Sequence, residues 1–199
     1  MTGGLPGVTI GIVTNTKDPD RLGRVKVKLP WLADDVESNW ARVLAPMAGN
    51  QRGFYFLPEV DDEVLIAFEH GDPACPYVLG GLWNGRDKPP ETNSDGRNDV
   101  RVLRSRSGHV IRLVDKDGAE KIEIVDKAGK NSVVISSADG TVTITGDADV
   151  VVEAKKGTLT LRGKDVAISA QQGVTIEGAT VATKAKAELT VKGNIVKIN

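Results

Sequence analysis

Two groups of side chains have the residue types of a reactive site. Ser107 and His109 lie two positions apart with Asp115 downstream, and these are the three residue types of a hydrolytic triad. A triad is defined by geometry and by the role of each group, which two near neighbours on one strand do not provide. The acidic run at 59–63 could attract a cation, but it lacks the loop spacing of a calcium-binding hand. We therefore expect no catalytic residue, no cofactor and no metal ion.

The other reactive side chains are isolated in the sequence. His70 lies in EHGDP, where a structural contact at a strand end accounts for it, and Cys75 has no apparent partner base. Because Cys75 is the only cysteine, the chain has no intrachain disulfide framework. No glycine cluster matches a phosphate-binding fingerprint.

The charge balance argues against a partner that is a polyanion. The formal net charge is −1 and the isoelectric point is near 6.2, whereas nucleic-acid binders usually carry a basic excess. The start of the chain lacks the basic and apolar regions of a signal peptide, and no apolar run approaches the roughly 20 residues that cross a bilayer. These features predict a soluble protein made in the cytoplasm.

The elements that must position these side chains are short strands. All eight aromatic residues lie between positions 31 and 83, and all nine prolines lie at or before position 90. Aromatic side chains dominate globular cores, so the globular unit is predicted at positions 1–85. Five short alternating runs, separated by Gly, Pro, Asn and Asp, predict a small closed barrel with the OB-fold as candidate: 8–14, 24–29, 40–45, 63–68 and 77–82.

The polar stretch 84–100 indicates a linker or exposed loop, and the strand signals after it become regular. Turn signals end at Gly108, Gly118, Gly129 and Gly140, and their nearly even spacing predicts a meander of strands. In the last segment a Gly or Ala interrupts the alternation every seven to nine residues. That spacing predicts a stack of very short strands with corners.

The last segment cannot cover its own apolar positions. Each ordered residue costs about 1–2 kcal/mol of backbone entropy, and a Val, Leu or Ile returns about 1.5–3 kcal/mol only when it is buried. Three chains wound about one axis would cover the apolar faces and pair the open strand edges, whereas a single-chain solenoid is the alternative. The predicted trimer core consists of Val142, Ile144, Val150, Val152, Leu159, Leu161, Val166, Ile168, Val174, Ile176, Leu189 and Val191.

Three blocks of the sequence resemble a known family. DPDRLGRVKVKLPW (18–31), the block 40–85 that begins WARVLAPMAGN, and SRSGHVIRLVDKDGAEKIEI (105–124) are similar, in this order, to the phage baseplate assembly protein V and VgrG spike family. The resemblance implies an N-terminal OB-fold followed by a trimeric, intertwined β-helix. In this family that assembly is the central spike of a contractile injection machine, in a phage tail, a type VI secretion system or an extracellular injection particle.

The sequence departs from the family pattern at three places. Only a short segment precedes the first strand, so a separate trimeric hub protein is expected on the barrel side, next to the inner tube. The polar stretch 84–100 is too short for the lysozyme domain of some phage spikes. The apical His-x-His motif that binds iron in certain short spikes is absent. A PAAR-type tip protein is therefore expected to dock around Ile195, Ile198 and Asn199.

These inferences predict an all-β chain with an N-terminal OB-fold barrel and a C-terminal intertwined homotrimeric β-helix (β-prism) spike. The expected limits are 1–85 for the OB-fold, 86–100 for the linker, 101–140 for a meander neck and 141–199 for the spike. The expected function is structural: the spike seats on the hub, caps the tube and pierces the target envelope as part of a virion tail or tail-like particle, without binding nucleic acid. A trimeric fibre or adhesin and an OB-fold oligonucleotide-binding module are the alternatives.

Overall fold

A computed structural model of the chain describes residues 7–31 and 36–198. In these ranges the chain forms β-strands and one 3₁₀ turn, Glu69–Gly71, and has no α-helix, which confirms the all-β prediction. None of the described residues belongs to a helix long and apolar enough to cross a membrane. The chain divides into two units, Met1–Ala148 and Asp149–Asn199.

The first sheet is formed by the part of the chain that contains the aromatic residues. Its strands, in spatial order, are β2 (Lys26–Lys28), β1 (Val8–Asn15), β6 (Glu63–Phe68), β7 (Pro76–Gly81) and β3 (Arg42–Val43). Neighbouring strands are antiparallel except β7 and β3, which are parallel. The backbone groups of Val25 and Ala41 exchange hydrogen bonds of 3.0 and 2.7 Å, which join the start of β2 to the start of β3. This pairing closes the sheet into a barrel.

The interior of the barrel is aliphatic because alternate residues of each strand point inward. The buried side chains are no more than 6% exposed: Val13, Val25, Val27, Leu29, Ala41, Val64, Ile66 and Val78. Inside β1, a Cβ at Gly11 would lie 3.0 Å from Cγ1 of Ile66, so a side chain there would force the core to shift.

The five barrel strands overlap the five predicted runs. Strands β2 and β3 are shorter than their runs, and β1 and β7 each extend one residue outside theirs. A separate hairpin, β4 (Ala48–Gly49) and β5 (Arg52–Gly53), was not predicted. Two strands of two residues each are too short to show an alternating pattern, so the sequence carries no periodic signal for them.

The second sheet, which we call the neck sheet, has five strands in chain order. These are β8 (Val100–Arg104), β9 (Val110–Val114), β10 (Lys121–Val125), β11 (Ser132–Ser136) and β12 (Thr141–Thr145), each antiparallel to the next. The four predicted turn glycines lie between these strands with φ from 63° to 103°, a region that glycine adopts at low cost. The first five residues of the predicted spike segment are the last strand of this sheet.

The second unit lacks regular secondary structure within the chain. Residues 149–198 form no strand, and no backbone-to-backbone hydrogen bond is present in this range. Every residue of the range is exposed in the single chain.

Candidate assembly surfaces

One side of the neck sheet carries two rows of aliphatic side chains. In the first row, one residue from each of the five strands lies directly opposite its neighbour in the next strand. In the second row, the same holds from β9 to β12. We call these nine residues the aliphatic face: Leu103, Ile111, Ile124, Val133 and Ile144 in the first row, and Leu113, Ile122, Ile135 and Val142 in the second.

The aliphatic face is exposed in the single chain. Eight of its nine side chains are between 41% and 67% exposed, and the ninth, Val133, is half-buried. The first row lines a shallow depression of about 480 Å³. Contiguous apolar surface of this kind marks a site where protein is to be buried.

The second row ends at β8 with a charged residue. Arg101 lies opposite Leu113, and its Nη1 donates hydrogen bonds to Oδ2 of Asp115 at 2.6 Å and to the carbonyl oxygen of Asn98 at 2.8 Å. The charge of Arg101 is thus balanced within its own chain. The aliphatic rows are continuous from Leu103 onwards.

The opposite side of the neck sheet is mixed in polarity. Glu123 is 14% exposed and lies 3.5 Å from the guanidinium of Arg112 and 2.8 Å from the ammonium of Lys121. Glu91, from the segment before β8, lies 4.0 Å from the same guanidinium. Apolar rows on one side and ion pairs on the other are expected of a sheet that has one dry and one solvated face.

The structure distributes the predicted trimer-core residues between the two units. Val142 and Ile144 lie in β12, on the aliphatic face. The other ten lie in 149–198 and are between 51% and 70% exposed. The single buried hydrophobic cluster of the described residues is the barrel core, so one chain does not bring these ten together.

The predicted tip residues are also exposed. Ile195 is 78% exposed and Ile198 is 90% exposed. Asn199 lies outside the described residues.

The barrel carries a second exposed apolar surface, which sequence reasoning missed. Five large side chains, here called the barrel patch, are between 47% and 77% exposed: Leu22, Met47, Phe54, Tyr55 and Phe56. The rings of Phe54 and Phe56 stack with centroids 6.4 Å apart, and the amide of Phe54 donates a 3.0 Å hydrogen bond to the carbonyl of Met47. Tyr55 lies against Gly23, where a Cβ would be 3.4 Å from its ring. The run GFYF was the available signal.

The loop that presents Leu22 is held by one carboxylate. Asp18 is 3% exposed and accepts hydrogen bonds from the backbone amides of Asp20, Leu22 and Arg24. The guanidinium of Arg24 donates two more, at 3.0 and 2.7 Å. These contacts, with the Arg24 side chain the largest, hold the pKa of Asp18 well below its usual range. The two carboxylates of Asp18 and Asp20 raise the pKa of Arg24.

The basic residues near Trp40 are neutralised by partners in the chain. Arg24 pairs with Asp18 and Asp20, and the ammonium of Lys26 lies 3.1 Å from Glu37. Arg42 lies 3.8 Å from a carboxylate oxygen of Glu69. A groove that binds a polyanion needs net positive charge along its length, and these three basic side chains do not supply it.

The side chains with catalytic residue types are not joined in a relay. His109 Nδ1 accepts a hydrogen bond from the amide of Lys127 at 3.2 Å, and Asp115 binds Arg101. Ser107 has its hydroxyl 3.3 Å from that of Ser105. In the acidic run, Glu59 pairs with Arg106 at 2.8 Å. Within residues 7–31 and 36–198, no three His, Cys, Asp or Glu side chains are placed to hold a metal ion.

The barrel sequence matches a described family. Residues 9–83 match the family described as type VI secretion system/phage-baseplate injector OB domain, and this range runs from β1 to just beyond the end of β7. The N-terminal barrel is therefore OB-like, as the sequence predicted.

Longer proteins from two bacteria are similar to larger parts of the chain. The actin cross-linking toxin VgrG1 of Vibrio cholerae is 26% identical over 184 residues, which are 90% of this chain and 15% of the toxin. The type VI secretion system spike proteins VgrG1a and VgrG5 of Pseudomonas aeruginosa are 30% identical over 130 residues and 34% identical over 124 residues. These matches cover 60% and 58% of this chain, and 20% and 16% of the relatives.

The chain thus spans no more than a fifth of the length of these relatives. The match includes both the barrel and, in the first relative, most of the repeat segment, since 90% of the chain is aligned. Residues 9–83 thus carry the injector OB domain, and the chain is similar to the spike proteins of the VgrG and phage-baseplate type.

Proposed function

We propose that the chain is the structural central spike of a contractile phage tail or tail-like injection particle, and that it is not an enzyme. In this role the barrel seats on a hub and caps the inner tube, while the C-terminal part projects and pierces the target envelope. The relatives that carry the name spike protein support the proposal. The chemistry-bearing residues of this chain support it too, because Asp115 and His109 are engaged in structural contacts.

The observation that carries the proposal is the unpaired backbone of residues 149–198. Polar backbone groups are strongly favoured to pair in folded proteins, yet this range makes no backbone-to-backbone hydrogen bond within its own chain. Its apolar residues recur two apart, as on strands with one buried face. Pairing with other copies satisfies both requirements together.

The assembly we propose is a homotrimer with an intertwined β-helix. Its core contains the twelve residues predicted from the sequence, from Val142 and Ile144 in β12 to Leu189 and Val191 near the end. Residues 149–198 make no backbone-to-backbone hydrogen bond within their own chain, so we place the neighbouring strands of the spike in different chains. Strands bonded between chains along the shaft would make it stiff.

The functional regions we propose keep the limits derived from the sequence. Residues 1–85 form the OB-fold, 86–100 the linker, 101–140 the neck and 141–199 the spike. The strand β12 belongs to both of the last two, because it is the final strand of the neck sheet and holds the first core pair of the spike.

A separate trimeric hub protein is the partner we propose for the barrel, next to the inner tube. The barrel patch supports this proposal, since five large apolar side chains that are 47–77% exposed need a protein surface to cover them. The Asp18 carboxylate preorganises the loop that carries Leu22, which reduces the ordering cost of association.

At the other end we propose a PAAR-type tip protein. The exposure of Ile195 and Ile198 supports an apolar contact there, in which Asn199 would also take part. The protein would be made in the cytoplasm, would be built into a virion tail or tail-like particle, and would touch the target envelope only transiently.

The test is the molar mass of the purified chain by light scattering, combined with an unboiled SDS gel. The expected mass is three times the 21.2 kDa of the single chain, with a band that survives SDS. A monomer of 21.2 kDa would refute the trimeric spike. It would favour a solenoid closed within one chain and restore an oligonucleotide-binding barrel as the competing function.

A further inference from the structure

We infer that the neck sheet is the element through which three copies first associate, and that its aliphatic face sets the register in which the spike then forms. The inference rests on the proposed trimeric spike and adds an order of assembly to it. It also extends the trimer core towards the barrel, to Leu103, beyond the residues that the repeat indicates.

The neck sheet is complete within one chain. Each of its five strands pairs with the next through a turn of a few residues, so all of its hydrogen-bonded pairing is local. Hairpins with local contacts form fast, on the order of microseconds. A newly made chain therefore presents a finished aliphatic face before it meets another copy.

Residues 149–198 have no such independent structure. They form neither strands nor backbone-to-backbone hydrogen bonds in the single chain, and all of them are exposed. Their pairing partners are in other copies, so their strands can form only after those copies are held together. The neck sheet precedes this segment directly in the chain and is available to hold them.

The chemistry of the aliphatic face fits two further copies of the same face as its occupant. The face is made of nine aliphatic side chains, and its only charged neighbour in the two rows, Arg101, is balanced by Asp115 at 2.6 Å. A surface without net charge and without free polar side chains is complementary to another surface of the same kind. Three identical faces about one axis form a closed assembly.

Continuity of the core positions supports the same occupant. Each neck strand from β9 to β12 contributes two inward residues spaced two apart, and the spike segment repeats the same pair. The pair recurs after 11, 11 and 9 residues in the neck, then after 8, 9, 7 and 8 residues as far as Val174, with a longer interval of 15 residues before Leu189. One set of inward pairs thus runs from Ile111 to Val191, and Val142 and Ile144 of β12 belong to both parts.

Register follows from this arrangement. The spike positions from Val142 to Ile176 look alike to one another, since Val, Leu and Ile recur two apart at intervals of seven to nine residues, and such strands are prone to slip by one repeat. The neck sheet removes this ambiguity because its pairing is fixed by glycine turns within each chain. When three neck sheets are in contact, the three chains enter the spike at the same residue.

The experiment compares substitutions in the two regions of the full-length chain. Ile124→Asp places three carboxylates on the aliphatic face of the neck, and Val174→Asp places three in the proposed spike core. Thr143→Asp is the matched control, because Thr143 is an exposed residue of β12 on the opposite side of the sheet. Ile124→Leu keeps the apolar volume and tests rescue. Each variant is measured by light scattering, by circular dichroism and by trypsin cleavage after lysines of 149–198.

The inference predicts that Ile124→Asp loses the trimer and has the mass of a monomer, 21.2 kDa, with all of 149–198 open to trypsin. Val174→Asp, whose neck is unchanged, is predicted to remain a trimer in which the spike segment alone is cleaved. Thr143→Asp and Ile124→Leu are predicted to behave as the unchanged chain.

Other outcomes overturn the inference and leave the proposed function separately testable. A trimeric Ile124→Asp shows that the neck face is not the association surface. A monomeric Val174→Asp shows that the spike, not the neck, holds the copies together, whether or not Ile124→Asp has folded. In either case an unchanged chain with three times the mass of 21.2 kDa still supports the trimeric spike. An unchanged chain that is monomeric removes the proposed function itself.

Discussion

Replacing Ile124 by Ala is expected to weaken the trimer by an amount that can be estimated from the structure. The Ile124 side chain is 51% exposed in the single chain, so about half of its surface remains to be buried by other copies. Full burial of an Ile side chain stabilises by about 1.5–3 kcal/mol, which gives about 0.8–1.5 kcal/mol for each copy. Three copies lose about 2–5 kcal/mol together.

Such a loss corresponds to roughly a 30- to 3,000-fold weaker trimer, at about 1.4 kcal/mol per factor of ten. The assay is light scattering over a dilution series of the full-length chain, which reports the concentration at which the trimer dissociates. Where the unchanged trimer does not dissociate on dilution, the series is repeated at fixed urea concentrations. Thr143→Ala, on the other side of the same sheet, is the control and should leave the dissociation unchanged.

An equal response of the two variants would refute the reasoning. If Ile124→Ala and Thr143→Ala leave dissociation the same, the half-exposed surface of Ile124 is not buried by another copy. If both weaken the trimer alike, the effect comes from strand propensity and not from burial on one face.

Three further results are expected from the barrel. Ile66→Ala should lower the free energy of unfolding by about 2–5 kcal/mol in urea denaturation, because Ile66 is fully buried in the barrel core; a loss below about 1 kcal/mol would contradict that placement. The Asp18 carboxylate has a pKa below its ordinary value of 3.8, so its stabilisation is complete above pH 3.8 and declines as the pH falls below it. The melting temperature of the unchanged chain should fall between pH 7 and pH 2, and that of Asp18→Asn should fall less. Parallel curves of melting temperature against pH for the two proteins would argue against a contribution of Asp18 to stability. Tyr55 is 77% exposed, and Tyr55→Ser should leave the trimer mass unchanged but weaken binding of a purified hub protein. The control is Trp83→Ser, because Trp83 is 70% exposed and lies outside the barrel patch.

Alternation in the sequence located the longer strands of the barrel and the neck but not their neighbours, and the strands expected in 149–198 stay a prediction. The run 63–68 is strand β6, and the glycines at 108, 118, 129 and 140 lie between the neck strands as predicted. Alternation also assigns Val142 and Ile144 to one face of their strand. These features depend on residues close together in the chain, where periodicity and turn chemistry act.

Short strands and the ion-pair partners of side chains could not be predicted from the sequence. The hairpin of β4 and β5 has two residues in each strand and no periodicity to detect. The basic residues Arg24 and Lys26 lie close together in the sequence, and only the fold shows Asp18 and Glu37 beside them. A charge pattern in the sequence does not show which charges are neutralised, because pairing depends on distances of a few ångströms between residues brought together by folding.

The sequence by itself determined that this protein is built of short strands, that its aromatic residues lie between positions 31 and 83, and that its last segment repeats one apolar pair. The tertiary structure decided three other features. It closed the barrel through Val25 and Ala41, joined the neck residues into one aliphatic face, and left residues 149–198 without backbone partners in their own chain. This difference between what the sequence determined and what the tertiary structure decided has one physical cause. The period of two specifies which side of a strand is apolar, whereas the partner and the register of that strand are set by contacts between residues far apart in the chain.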